Sequence, residues 1–581
     1  MAPLFRIRQR DHIAHSLNAE FVQAALSKNY VDPHHDFVNV RVFKVRKPLD
    51  AYFLQIDQHA RPTRVGFEYF AAFFSADSRH VRRLKKLLSK PFLNAFPLKP
   101  NRDMDKRSQT VRFSAASFAA KLLPARYAGT AEPWAQKLDA ILADTSVSGQ
   151  AQRMSLIAFS IRIVSAAIAF VSQILLARWI GQFDYGIFVL VWTAAIIAGN
   201  LSCFGFHTTI IRFAPQYFAE SSFAHLRGLL LTGRIFALVS ASLIALLGTL
   251  GVHMFSGLIA NYYVAPFYLG MLALPMIALG DTLDGTARAN AWPIRALSPT
   301  YIIRPVLILA TMIAALMAGY EANAKTAIIS AIIATYATTL VQLVTVTYGV
   351  DRKLPSGPSK ASFTEWFAVS LPIFFVEGFL FLLTNADVLV VGHFMDPQHV
   401  AVYFATVKVL ALIHFVYFAV KAGAAQRFSE LMGAGNKRAL AGFARDSASW
   451  TFWGAMFMSC VVLIIARPLL SMFGENFLAG FPLLFPLVFG ILARSSVGPA
   501  ESLLNMSGNQ NLCALLYALT LGFSVTLSCL LIPQYGLWGA ACGFSAGMVF
   551  EAVLLAAAVK HRLGFAISIL AAKTLQRQEG I

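Results

Sequence analysis

The sequence predicts an all-α polytopic membrane protein of about 12 transmembrane helices, arranged as two six-helix halves around a central cavity. Three observations predict it. The chain is 57% hydrophobic and only 13% charged, against ~25% charged residues in soluble domains. Apolar runs long enough to cross a hydrocarbon core of ~30 Å recur from Leu156 to Val559. The links between those runs differ sharply in their Lys and Arg content.

Residues 1–115 hold no spanning segment and no secretory apolar core, so they read as a cytoplasmic extension. Within them 38–56 reads as one or two short strands (VNVRVFKV, YFLQI), and 81–88 (VRRLKKLL) as a basic amphipathic helix. A solvated face and contact with anionic lipid both fit that helix. A start set too far upstream is the other reading of this region, with Met104 and Met154 as internal alternatives. Residues 116–153 read as a helical lead-in.

The candidate spans lie near 156–180, 186–211, 229–251, 265–285, 300–319, 326–349, 365–392, 400–425, 447–466, 482–506, 512–533 and 536–559. The first two form a hairpin joined by the polar link Gly181 to Tyr185. Bends are expected at Pro275, Pro372, Pro482 and Pro486, because proline removes an amide donor and neighbouring groups must satisfy the freed carbonyls. Domain limits follow as 154–350 for the first half, 351–364 for a linker, 365–560 for the second half and 561–581 for a tail.

Links on the side shared with the N-terminus carry 15 Lys and Arg, among them Arg212, Arg288, Lys353, Arg427 and Lys437; the opposite links carry only Lys325 and Arg467. This asymmetry places both termini in the cytoplasm. It also accounts for much of the basic balance outside the N-terminal extension without a nucleic-acid partner, in a chain whose formal charge is +20.

The chain also repeats itself. ARWIGQFDYGIFVLVW (Ala177 to Trp192) is echoed by VVGHFMDPQHVAVYFAT (Val390 to Thr406), the two hairpins end on Arg212 and Arg427, and His253 to Phe267 is echoed by Ser471 to Phe485. The offsets are 211, 215 and 218 residues. Six spans return the chain to its starting face, so the repeat is parallel, with a pseudo-two-fold along the membrane normal, the geometry of alternating access.

The LARWIGxxxYGxFxxxW hairpin, the GFHTTIIRF segment that ends it and the duplicated twelve-span plan resemble the polysaccharide (O-antigen type) flippases of the multidrug/oligosaccharidyl-lipid/polysaccharide exporter superfamily. The resemblance covers roughly 154–560. It implies a bacterial cytoplasmic-membrane transporter that moves an isoprenoid-diphosphate-linked oligosaccharide to the periplasmic leaflet. Surrounding lipid, a coupling H⁺ or Na⁺, and partners in polysaccharide polymerisation and export are implied with it.

Ionisable groups at membrane depth cost roughly 2.5–3.5 kcal/mol each and call for a cavity, a partner or a function. Arg162, Arg234, Arg304, Lys408, Lys421 and Arg494 are the candidates for a cationic cavity that meets diphosphate and acidic sugars. Arginine grips phosphate in bidentate fashion and lysine acts as a point charge. Snorkelling to the interface is the alternative for Arg234, Arg304 and Lys421. Arg178, beside Trp179, reads as an interfacial anchor. Glu377 and Asp387 are the ion-coupling candidates, with structural pairing as their alternative, and Glu551 reads as a charge partner.

No Walker A, GxSxG or HExxH pattern appears, and no Cys–His arrangement has metal spacing. The chain is therefore read as a transporter without cofactor, metal or catalytic residues. Two alternatives stand beside the flippase: a multidrug or small-molecule exporter of the same superfamily, and a membrane polysaccharide polymerase or ligase. An anionic cavity would favour the former. The short outer links argue against the latter.

Overall fold

The computed structural model describes residues 40–44, 52–56 and 147–567. In the N-terminal unit, β1 (Val40–Lys44) and β2 (Tyr52–Ile56) pair antiparallel, Val40 opposite Ile56, where two strand-like runs are expected. The segments 81–88 and 116–146 lie outside the described residues.

The described residues of the second unit are mainly helical, and among them eleven helical runs are long and apolar enough to cross a membrane. The first of these, Ile161–Ala219, has 59 residues and folds back at Gly181, whose φ of 79° and ψ of 168° are non-helical. It supplies two spans and brings the total to 12. Span 1 runs from Val147 to Gly181, and span 2 from there to Ala219. The others are span 3 (Phe223–Met254), span 4 (Asn261–Ala289), span 5 (Pro293–Met317), span 6 (Ala324–Asp351), span 7 (Phe363–Leu383 continued by Ala386–Phe394), span 8 (Pro397–Gly433), span 9 (Lys437–Phe473), span 10 (Leu484–Met506), span 11 (Gln510–Tyr535) and span 12 (Leu537–Leu563).

The expected polar link Gly181 to Tyr185 contracts to Gly181 alone, because the residues after it are already helical. Their polar groups are used locally. The Asp184 carboxylate accepts from the Ala324 amide at 2.8 Å, at the start of span 6. The Tyr185 hydroxyl donates to Gln173 at 2.9 Å. Glycine suits the joint because its positive φ carries no Cβ penalty.

The breaks do not fall on the expected prolines. Helix runs unbroken through Pro275 and Pro372, Pro482 precedes span 10, and Pro486 sits in its first turn, where its missing N–H costs nothing. Span 2 is interrupted between Leu201 and Phe206, with Phe204 at φ 45° and Gly205 at φ 77°. Span 5 holds a π turn at Pro299–Ile303. Span 7 breaks between Leu383 and Ala386, and span 10 between Ser495 and Ala500.

Packing divides by depth. Away from the basic ends, one apolar core crosses both halves and includes Tyr185, Leu190, Met312, Tyr403, Phe473 and Leu487. Toward the basic ends it separates. Phe206, Leu229, Leu283, Val346 and Trp366 form one core. Phe428, Leu440, Leu503, Tyr517 and Leu555 form another.

The halves are closed on the face opposite the basic ends. Arg178 donates from Nε to the Met472 carbonyl at 2.7 Å and from Nη2 to the Ser471 carbonyl at 2.6 Å. Gln182 donates to the Gln398 carbonyl at 3.1 Å. Tyr185 sits among Phe404, Phe473 and Phe477, with ring centroids 6.1–6.4 Å away. Arg178 thus clasps span 9, a contact between residues some 290 positions apart that the sequence does not disclose.

Candidate functional site

The sequence-predicted ionisable residues fall into three places. The first is a buried network in the second half, built on the break in span 10. Arg494 precedes the break and donates from Nη1 to the Gly498 carbonyl at 3.0 Å, stitching across it. Its Nε reaches Glu551 Oε1 of span 12 at 2.6 Å, and its Nη2 reaches Glu501 Oε2 at 3.1 Å. Glu501 also pairs with Lys421 of span 8 and accepts from the Tyr517 hydroxyl at 2.7 Å. The Tyr417 ring lies 5.2 Å from the Arg494 guanidinium carbon. Two cations and two carboxylates therefore neutralise one another. Side-chain exposure is 5% for Glu501, 10% for Glu551 and 13% for Arg494, while Lys421 keeps 34%.

The second place is the first half. Arg304 opens the helix after the π turn of span 5 and is buried, its Nε without a hydrogen-bond partner. Asp281 and Tyr301 are the titratable groups facing it. Asp281 accepts from Asn200 at 3.0 Å. Gly280 makes room for the guanidinium: a Cβ there would stand 3.6 Å from Nη2. Arg234 donates from Nη1 to Thr347 at 2.9 Å, its Nε unpartnered. Arg162 is exposed on span 1. None of these three makes an ion pair among the described residues.

The third place follows the break in span 7. Asp387 stands in the first turn of the second segment, where a carboxylate is favoured by the helix N-terminus. Neither of its oxygens has a hydrogen-bond partner, nor has the Tyr403 hydroxyl that faces it. Lys408 lies on the same side and rests its ammonium 4.5 Å from the Phe404 ring centroid. Asp387 borders a cavity of ≈ 10 Å³ shared with Ser524 and Ser528 of span 11, about the volume that one water needs. Glu377, one segment earlier, is engaged. It lies 3.0 Å from His207 Nε2 of span 2 and accepts from Thr208 at 3.0 Å. His207 and Thr208 were not singled out from sequence. Their only signal there is their place in the GFHTTIIRF segment.

A larger groove of ≈ 420 Å³ between spans 8 and 9, lined by Ala419, Gly423, Arg427, Phe443 and Trp450, contains none of the candidate residues. Among the described residues no group of three His, Cys, Asp or Glu side chains is placed to hold a metal.

Twelve spans in two halves, closed together on one face and packed into two separate apolar cores toward the other, with charged groups held at depth, define a multi-pass membrane transporter. A family model described as polysaccharide biosynthesis protein matches residues 153–425, and a MatE model matches 372–530. The two matches overlap and together span residues 153–530. No curated protein sequence matches significantly.

Solved structures share the fold. An inward-facing multidrug resistance MATE family transporter of the MOP superfamily is 13% identical, with 69% of this chain and 94% of that one covered and a TM-score of 0.56. A mutant of the Vibrio cholerae MATE transporter VcmN is 17% identical, with 72% and 99% covered and a TM-score of 0.52. The lipid II flippase MurJ in an inward closed conformation is 15% identical, with 70% and 87% covered and a TM-score of 0.51.

Proposed function

We propose that this protein is a flippase that carries an isoprenoid-diphosphate-linked oligosaccharide or polysaccharide repeat unit across the bacterial cytoplasmic membrane by alternating access. The observation that carries the reading is the excess of cations over carboxylates among the groups at depth that form no ion pair, even with Arg304 facing Asp281 and Lys408 facing Asp387. Arg162, Arg234, Arg304 and Lys408 make no ion pair among the described residues, against two such carboxylates at depth, Asp281 and Asp387. A diphosphate and acidic sugars complement that excess, whereas a cationic drug would meet repulsion. Lys421 and Arg494 join the substrate contacts only if a phosphate displaces Glu501 or Glu551. Lys421, the more exposed of the two, is better placed for that exchange.

The basic ends are assigned to the cytoplasm, with both termini there, by the Lys and Arg asymmetry of the links. The face closed by Arg178, Gln182 and Tyr185 is then periplasmic. For coupling to H⁺ or Na⁺, Asp387 is favoured over Glu377. Asp387 has unpartnered oxygens beside a small cavity lined by two serines, whereas Glu377 is already engaged.

Deletion of the gene is expected to remove surface polysaccharide and to accumulate the lipid-linked intermediate in the cytoplasmic leaflet. Unchanged polysaccharide without that intermediate would overturn the reading. Lys408→Ala is expected to lower translocation by about 10- to 100-fold, the range of one charge-assisted contact. Its membrane level should stay normal, because no ion pair is broken. Wild-type transport by this variant, read in a glycolipid translocation assay, would remove Lys408 from the site.

A further inference from the structure

We propose that His207, Thr208 and Glu377 form a releasable latch between the halves on the basic side of the shared core, one that parts once in each transport cycle. The proposal rests on the transporter reading and adds a gate to it. On that side there are two apolar cores, and the one built on the first half also takes in Trp366 of span 7. On the basic side, the described side-chain bonds from span 2 to the second half go to span 7, which also packs along span 11 of the second half. Trp366 donates to the Tyr217 hydroxyl at 2.9 Å, Ser370 donates to the Phe204 carbonyl, and Glu377 holds His207 and Thr208 at 3.0 Å.

Exposure decides which of these polar ties can open. The Arg494 network is 5–13% exposed at its core, and parting it would strand buried charge. The latch is different: Glu377 is 42% exposed and His207 21%, so a separated carboxylate and imidazole can meet solvent in an open cavity.

The backbone beside it is built to move. His207 follows directly on the interruption of span 2, where Phe204 and Gly205 both have positive φ. A phenylalanine in that region is strained and is held only by its surroundings. The ring itself has little else to hold it, because His207 Nδ1 is buried without a hydrogen-bond partner. Its carbonyl lies against Gly285 of span 4, where a Cβ would come within 2.3 Å. The other charges facing the ring are Asp281 and Arg288, both on span 4. Glu377 is therefore the partner from the second half.

Two measurements on the full chain, with its five cysteines replaced, test the latch. In the first, Ser370→Cys, buried on the same seam between spans 2 and 7 about two turns from Glu377, reports parting of that seam by reaction with a soluble maleimide. Adding Glu377→Gln, which keeps the shape and a Thr208 contact but loses the charge, is expected to raise the labelling rate about tenfold, the size that one charge-assisted hydrogen bond supports. An unchanged rate would overturn the latch. In the second, His207→Cys and Glu377→Cys are joined by a short bifunctional methanethiosulfonate. Transport is expected to fall at least tenfold and to return on reduction. Transport by the joined protein equal to that of the reduced one would overturn it as well. The labelling arm needs no substrate, so it still reads the latch if the glycan proves not to be the cargo.

Discussion

Glu501→Ala is expected to lower stability by ~3–5 kcal/mol, the cost of leaving a buried ion pair with one partner removed. The carboxylate is 5% exposed and receives Lys421, Arg494 and the Tyr517 hydroxyl. Without it, two cations share the single carboxylate of Glu551, which only Arg494 reaches. Thermal unfolding of the purified protein in detergent should show the loss, together with a reduced membrane level. A double variant that removes charge in balance, Glu501→Gln with Lys421→Met, should recover much of it, because no net charge is then stranded. If the double variant is as unstable as Glu501→Ala, shape rather than charge balance governs the cluster. The same reasoning separates Arg494 from Lys408. Arg494→Ala strands Glu551 and frees the Gly498 carbonyl, so its transport defect should come with a folding defect that Lys408→Ala lacks.

Gly186→Leu is expected to disfavour the arrangement in which the face opposite the basic ends is closed. A Cβ at position 186 would stand 1.8 Å from the Pro397 carbonyl oxygen, and backbone cannot yield as a flexible side chain can. A second close approach lies beside it, since a Cβ at Gly392 would meet the Leu190 side chain at 2.4 Å. Overpacking of this kind costs roughly 1–3 kcal/mol, a shift of about 5- to 150-fold between two states. It should appear as increased labelling from that face of a cysteine placed at Phe477, which is buried against Tyr185 when the face is closed. Labelling no faster than in the parent would mean that the halves close elsewhere.

The membrane plan was readable because it is written in local properties. Apolar length gave the spans, and the first hairpin carried the resemblance to polysaccharide flippases, in line with the polysaccharide biosynthesis family model that matches 153–425. The breaks were not readable. The expected prolines lie inside continuous helix, just before a helix or in a first turn, while the true interruptions fall at 202–205, 384–385 and 496–499; at the first, the distant Ser240 and Ser370 donate to the freed carbonyls of Ser202 and Phe204. The charged residues were legible as unusual but not as partners. Arg494 and Glu551 lie 57 positions apart, and Lys421 and Glu501 80 apart. A list of six cations therefore could not distinguish the two that neutralise acids from the four that stand unpaired. Glu377 and His207 were hidden in the same way, 170 positions apart on opposite halves of the chain.

The balance of the Arg494 cluster has an electrical consequence. A charge moved through the full membrane potential exchanges ~2.3 kcal/mol per 100 mV. Lys421, Arg494, Glu501 and Glu551 are tied to one another within the second half and sum to zero. Rocking that half therefore takes no work from the potential through them. Any voltage dependence of transport must arise from the charges outside the cluster and from the cargo itself.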